Sequence, residues 1–485
     1  MIRALTLAEI LANSDPAANL KLVRGNGDAA FPGLAFSPQR AVRNSFYVVQ
    51  EDPQPDGEPP KTDAALIKDA LAAGFTRFLV ADDQAQEPAL ASATVVAAED
   101  PMNGAIAIAR SVQSRASGKI ITVTGSVGKT TVKEMTRKLL EYIHPLAEVE
   151  PSALNPNMFR PVLRNVSRAA NYDFSVIEVS VGAILRGLRE GFSLESDVTV
   201  ITDITGAHLD TLVTVDRAAR AKARILDQPR TAQSVAVLYG DSRFSDDLSE
   251  RAREMGWART ITYGADNHND VQLVSADVST GLVSTVVNGE PVDFQMEAVR
   301  GGGSHWAMNA MAAIASLIAL EENWRKGIPA LESFSPPAGR GNKWRVPIPG
   351  GGAATIVNAA FNASHASVLS SIEALSGVAR EGKGRKILVL GDMGELGAST
   401  KQMHESLISP LNHADIDVIY LVGPNMHEIA SSITGIPDVR LRNSEDLLAE
   451  INGDLRNSDF VHVKGGNSLG LIPLLLVPLH QQRVR

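Results

Sequence analysis

Apolar residues recur along this chain as short β-branched runs separated by longer amphipathic or charged stretches. The clearest run occupies 119–124 (KIITVT); it breaks at Gly125 and resumes as a charged helix-former over 128–143. Further strands are expected at 174–179 and 198–202, a charged helix at 216–226, and a buried helix in the apolar segment that starts at Gly301. Strands spaced by helices imply a mostly parallel sheet with crossover connections. Residues 333–352, rich in proline and glycine, read as a linker. Beyond them the alternation resumes, with strands at 386–390, 418–422 and 460–463 and a helix at 444–451, as in a second doubly wound unit. Ahead of residue 115, strand-like runs at 45–50 and 77–81 flank a proline-rich loop (52–61) and an amphipathic helix (63–73). No short-period repeat is visible, which argues against a solenoid. The expectation is an α/β protein of three domains, at 1–116, 117–332 and 333–485, the last Rossmann-like.

Composition narrows the chemistry. A chain of 485 residues exceeds one compact core, and 44% hydrophobic with 21% charged residues is the balance of a soluble globular protein. The net charge of −9 leaves no footprint for nucleic acid. With no cysteine, disulfides, thiolate zinc sites and cysteine nucleophiles are excluded, so any metal is held by oxygen or histidine. The first residues read as a short helix capped by Thr6 rather than a leader, and the longest apolar stretch, 469–479, is too short for a bilayer and contains Pro473 and Pro478. A cytoplasmic protein without membrane insertion is expected; oligomeric state is not legible.

The stretch ITVTGSVGKTTVKEM, residues 121–135, places a tight turn between strand and helix. Backbone N–H groups opening such a helix, with the helix dipole, form an anion site. Gly125, Ser126 and Gly128 shape the turn, Lys129 brings a positive charge to terminal phosphates, and Thr130, followed by Thr131, offers a hydroxyl to Mg²⁺. The general P-loop pattern has a glycine where this chain has Val123, and a bare GKT also fits an exposed turn. Glu178, inside the apolar run FSVIEVS, needs a partner, either a metal ion or an arginine.

The short loop T-G-S-x-G-K-T-T resembles that of the Mur ligase family, and other landmarks follow in that family's order: VIEVS, GAHLD at 206–210, ARAK ending at Lys222, SHWAMNAMAA, Gly339-Arg340, FNAS at 361–364 and LGDMGELG at 390–397, with His404 downstream. VKEM and LGDMGELG look most like the D-alanyl-D-alanine-adding branch. The resemblance implies a three-domain architecture with an N-terminal substrate domain, a central P-loop ATPase domain and a C-terminal Rossmann-like domain. It also implies an ATP-dependent, ADP-forming ligase that joins a small-molecule carboxylate to an amine through an acyl phosphate, with two Mg²⁺ ions.

Carried onto this sequence, the resemblance implies that Lys129 grips the β and γ phosphates. Thr130 and Glu178 would hold a first Mg²⁺, and Glu178 with His208 a second; His208 alone could equally be a helix-capping or core histidine. Lys222, fourteen positions after His208, stands where the family carbamylates a lysine to make a metal ligand, although RAARAKARIL also reads as a solvated basic face. Family members usually carry a glutamate two positions later, where this chain has Arg224. Asn309 matches an adenine-reading asparagine, Trp306 replaces another asparagine, and Arg340 matches a linker arginine that reaches the phosphates.

The departures bear on the substrate. Ser37-Pro38-Gln39 stands in place of the triplet that grips a uridine nucleotide, and Asn358-Ala359 in place of paired aspartates, one of which contacts the ATP ribose; an amide such as Asn358 can still bond a ribose hydroxyl. EVSVGAILRG lacks the histidine found near the acceptor site. These changes point to a ligase acting on a substrate other than UDP-muramoyl tripeptide. The alternatives are a divergent D-alanyl-D-alanine-adding enzyme of peptidoglycan synthesis and a non-catalytic pseudo-ligase that binds nucleotide or a partner.

Overall fold

The computed structural model describes residues 4–38, 44–50, 61–151, 158–205, 214–300, 302–348, 351–394 and 396–466. Among them the β-branched runs assemble into three sheets, of five, eight and six strands. The expected α/β class with parallel-rich sheets is what the chain adopts.

The first sheet is built from strands between Lys21 and Ala98, parallel except for the edge strand Lys21–Arg24. It docks on the next unit through Leu34, whose N–H donates to Ser167 Oγ at 2.9 Å, and through Asn171 Nδ2, which donates to Phe31 O at 3.2 Å.

In the second sheet Lys119–Thr124 lies between Phe174–Glu178 and Val198–Ile201, all parallel, and Val235–Tyr239, Arg259–Gly264 and Val271–Ala276 continue the parallel run. The chain leaves Lys119–Thr124 toward one neighbour and later returns to its other side. The crevice beyond that strand's carboxyl end is therefore a topological switch point, where open α/β sheets place ligands. An antiparallel hairpin, Leu282–Val287 with Glu290–Gln295, closes the far edge. The sequence reading had no strands between 271 and 295; their outward positions are polar or half-exposed, so the apolar signal is weak.

Two helices stiffen this unit. Lys129–Ile143 buries Val132, Met135, Leu139, Leu140 and Ile143, a spacing of three and four that lines one face. His305–Ala319 is apolar nearly all round, and its alanines let it sit deep in the core. The helix expected at 216–226 is α-helical over Val215–Ala223 and tightens to a 3₁₀ turn at Arg224–Leu226.

The third sheet runs Ala353–Ala359, Phe460–Lys464, Lys386–Gly391, Val418–Val422 and Asp438–Arg442 in parallel. The expected linker at 333–352 is corrected in part: Asn342–Pro347 pairs antiparallel with Ala353–Ala359 and forms the sheet edge. Its alternating lysine, arginine and terminal proline suit an edge strand, and hid it from a composition-based reading. No helix among the described residues is long and apolar enough to cross a membrane; the stretch 469–479 lies outside them.

The start of Lys119–Thr124 is held by buried Asp197, which accepts from Ile120 N at 2.9 Å and from Arg230 Nη1 at 2.7 Å. Arg230 also donates to the carbonyls of Gln113, Gly118 and Ala116. Asp197→Ala leaves the guanidinium without its countercharge and should destabilise the central unit by roughly 3 kcal/mol, the lower end for a broken buried pair because those carbonyls remain. Urea unfolding of the two proteins checks the figure.

Candidate nucleotide-binding and ligase site

The turn after Lys119–Thr124 is as tight as its sequence demands. Gly125 has φ +141° and Gly128 φ +81°. A Cβ on Gly125 would overlap the Thr202 hydroxyl, and one on Gly128 would overlap Asn309 Oδ1, so side chains are excluded by neighbours as well as by backbone conformation. The turn is pinned to the segment after Val198–Ile201: Ser126 N donates to Asp203 O at 2.9 Å, Thr205 N to Ser126 Oγ at 3.0 Å, and Thr202 Oγ1 to Val127 O at 2.5 Å. Gly128 caps the following helix with no side chain, which leaves its first-turn amides for a ligand.

Residues 126–131 line a cleft of about 620 Å³ between the second and third sheets, a size suited to a nucleotide. Glu178, Asn309 and Arg340 line it too, as do Trp306, Phe361, Tyr239 and Tyr263. Lys129 Nζ folds back onto the loop and donates to Gly125 O and Ser126 O, both at 2.9 Å. Thr130 Oγ1 donates to Glu178 Oε2 at 2.6 Å, both side chains being buried. The hydroxyl and the carboxylate expected to share a metal ion therefore meet.

Lys222 departs from the solvated-face alternative. It is 1% exposed, and among the described residues its Nζ has no hydrogen-bond partner. Burial, with the positive charge of Lys129 nearby, lowers its pKa to about 8. Arg224 turns away to pair with Asp227. Arg340 lies over the ring of Phe361, 3.9 Å from its centroid; burial pulls the guanidinium pKa down, and the Glu178 carboxylate opposes this.

Of the remaining candidates, Asn358 is fully buried and does not line the cleft; its Oδ1 accepts from Ala360 N at 3.0 Å, and its Nδ2 has no partner among the described residues. His208 and the segment around it, and Gln39 of the first unit, lie outside the described residues. Among the described residues no three His, Asp or Glu side chains gather as a ready metal site. Trp306 is 2% exposed and packs against His305 and Phe334. His404 ties down a turn, with Nε2 accepting from Met393 N at 3.1 Å and Nδ1 donating to Thr400 O at 2.7 Å.

The sequence reading missed His462 and Lys464, which line the same cleft. Their signal was two polar residues alternating within the apolar central strand FVHVK. Lys464 Nζ donates to Asn362 O at 2.7 Å and Ala359 O at 3.3 Å, and burial with Arg340 nearby lowers its pKa to about 7. Burial and the Lys464 charge hold His462 down to about 3 and His305 to about 4, so both rings are neutral at physiological pH.

Residues 123–317 match the Mur ligase middle domain, and residues 345–467 match the Mur ligase, glutamate ligase domain. The UDP-N-acetylmuramoyl-tripeptide–D-alanyl-D-alanine ligase of Synechocystis is 26% identical over 450 residues, 91% of this chain and 85% of that protein. The ligase of the same name from Bacillus subtilis is 26% identical over 396 residues, 81% of this chain and 80% of that protein. In fold, the chain superposes on MurF from Acinetobacter baumannii with a TM-score of 0.74 at 20% identity, covering 98% of this chain and 99% of the other. For MurF of Thermotoga maritima in complex with ADP the values are 0.69 and 19%, covering 91% and 96%. The two matched domains account for about two thirds of the sequence and include the turn at Gly125–Gly128, Glu178, Lys222 and the cleft wall at His462 and Lys464; the chain belongs to the Mur ligase family of ATP-dependent, amide-bond-forming ligases.

Proposed function

We propose that this ligase forms ADP and joins a small-molecule carboxylate to an amine through an acyl phosphate, and that its carboxylate differs from the UDP-muramoyl tripeptide for which its curated relatives are named. The observation that carries the catalytic reading is the buried Lys222 ammonium without a hydrogen-bond partner among the described residues, close enough to Lys129 to feel its charge. An unpaired buried ammonium is costly, and conversion of that amine to a carbamate would turn it into an anion suited to a cation site.

In this reading the carboxylate oxygen attacks the γ-phosphorus, the bond to the β–γ bridging oxygen breaks, and ADP departs. The amine nitrogen then attacks the acyl carbon, phosphate leaves, and the ammonium loses its proton. Lys129 exchanges its bonds to the Gly125 and Ser126 carbonyls for phosphate oxygens. Arg340, braced on Phe361, neutralises charge from the opposite wall, and Asn309 beside Gly128 reads the base. Thr130 and Glu178 would hold Mg²⁺, with His208 and carbamylated Lys222 as further candidate ligands; when bound, the ion neutralises charge between the two anions. Support for a changed substrate comes from Ser37-Pro38-Gln39 and from EVSVGAILRG, whose Val179, Ala183 and Ile184 are given over to core packing.

Phosphate release from Mg-ATP, screened against carboxylates and amines, should require one of each and vanish in Lys129→Ala; ATP binding without turnover across the panel would favour a pseudo-ligase. Thermal-shift titration with UDP-muramoyl tripeptide should give no saturable stabilisation. A true substrate at 100 times its Kd would add about 2.7 kcal/mol, so a clear shift would restore the peptidoglycan assignment.

Two measurements bear on Lys222. Incubation with ¹³C-bicarbonate near pH 8 should yield a carbamate resonance that is absent from Lys222→Met. Its native pKa of about 8 lies below the ordinary 10.5, so between those values the unfolded chain binds more protons than the native one. Stability measured without CO₂ should therefore gain with rising pH across that window relative to Lys222→Met; parallel urea curves would contradict the buried-amine assignment.

A further inference from the structure

We infer that the cleft wall where His462 and Lys464 meet His305 and Trp306 is a second anion-binding subsite, separate from the phosphate-binding turn, that receives a carboxylate or phosphate oxyanion. Assigning that oxyanion to a substrate or product of the ligation rests on the ligase reading; the subsite itself does not.

The argument begins in the strand Phe460–Lys464, which lies between Ala353–Ala359 and Lys386–Gly391. Val461 and Val463 enter an apolar cluster on one face of the sheet, while His462 and Lys464 alternate onto the other and line the cleft. An interior strand of a parallel sheet ordinarily carries aliphatic residues on both faces. His462 is 2% exposed, and among the described residues neither ring nitrogen has a hydrogen-bond partner. Trp306 Nε1 and His305 Nδ1, beside the Gly302–Gly303 turn, are also buried without partners among the described residues. Leaving a buried polar atom unpaired is costly, so an imidazole that lines the cleft with both nitrogens unmet marks a ligand's place.

The donor inventory specifies the ligand. An indole N–H only donates, a neutral imidazole carries one donor, and a lysine ammonium only donates. Lys464 already gives two bonds, to Asn362 O and Ala359 O, which leaves one N–H when it is charged. The charged group acting on it is Arg340, and its own charge acts in turn on His305 and His462. Among the described residues no carboxylate joins the set: Glu178 is engaged with Thr130 and acts on Arg340. The remaining Lys464 N–H and the His462 N–H, with the Arg340 charge nearby, favour an acceptor that bears negative charge, as an oxyanion does. Its arrival would also favour the charged form of Lys464, so binding near pH 8 takes up a proton.

The test uses full-length protein saturated with Mg-ADP, which fills the phosphate-binding turn. Inorganic phosphate is titrated calorimetrically in one arm and acetate in the other, near pH 8, in two buffers of different ionisation enthalpy. Saturable binding with uptake of a fraction of a proton is expected in at least one arm. A response to phosphate alone identifies a released or transferred phosphate as the occupant, and a response to acetate alone a substrate carboxylate. His462→Leu and Lys464→Met should each weaken this binding at least tenfold with Mg-ADP affinity kept within about threefold. Lys464, at the strand end, supplies the variant that folds if His462→Leu does not. Should Mg-ADP fail to bind, the nucleotide reading falls, and the titration is repeated on Lys129→Ala, whose turn is disarmed. No saturable binding in either arm, or binding unchanged in both variants, overturns the subsite.

Discussion

Close backbone approach at one turn is the constraint on which this molecule is organised. Gly125 and Gly128 sit where Thr202 and Asn309 leave no volume for a Cβ. Because of that contact, the turn at Gly125–Gly128 is braced by the neighbouring strand on one side and by the helix that begins at His305 on the other. The amides that open the following helix are thus fixed relative to Glu178 on the flanking strand and to Asn309 before any ligand arrives. Such preorganisation is what makes fixed dipoles effective in a site from which water is excluded.

Electrostatics within the cleft follow from the same packing. Arg340, Lys464 and, near Lys129, Lys222 are all drawn toward their neutral forms by burial. Glu178, already bonded to Thr130, acts on Arg340. A wall of buried cations with few carboxylates is poorly compensated by itself and well matched to polyanionic cargo. A ligase that must bring a triphosphate and a carboxylate together has to offset the repulsion between its own substrates.

Much of this was legible along the chain. The strand at 119–124, the turn and the amphipathic helix after it are local features: β-branched residues, two glycines and a three-four apolar spacing each act within a few residues. Glu178 stood out because a carboxylate in an apolar run has few physical excuses, and the structure puts it against Thr130. Local signals misled where tertiary pairing overrode composition. Asn342–Pro347 looked like linker and became an edge strand because Ala353–Ala359 offered it a register. The ladder from Val271 to Gln295 carried too little apolar contrast to be seen.

The amino-acid sequence by itself determined the class of fold, the position of the tight strand-to-helix turn at Gly125–Gly128 and the family to which the chain is similar, since these depend on short-range pattern and motif order. Tertiary structure alone decided that Lys222 is interior rather than solvated, that Asn358 turns away from the cleft, and that His462 and Lys464 stand opposite His305 and Trp306. Those outcomes are set by contacts between segments far apart along the chain, as Lys129 is from Lys222 and His305 from His462, and burial, which governs both their hydrogen bonding and their charge, has no value until the segments meet.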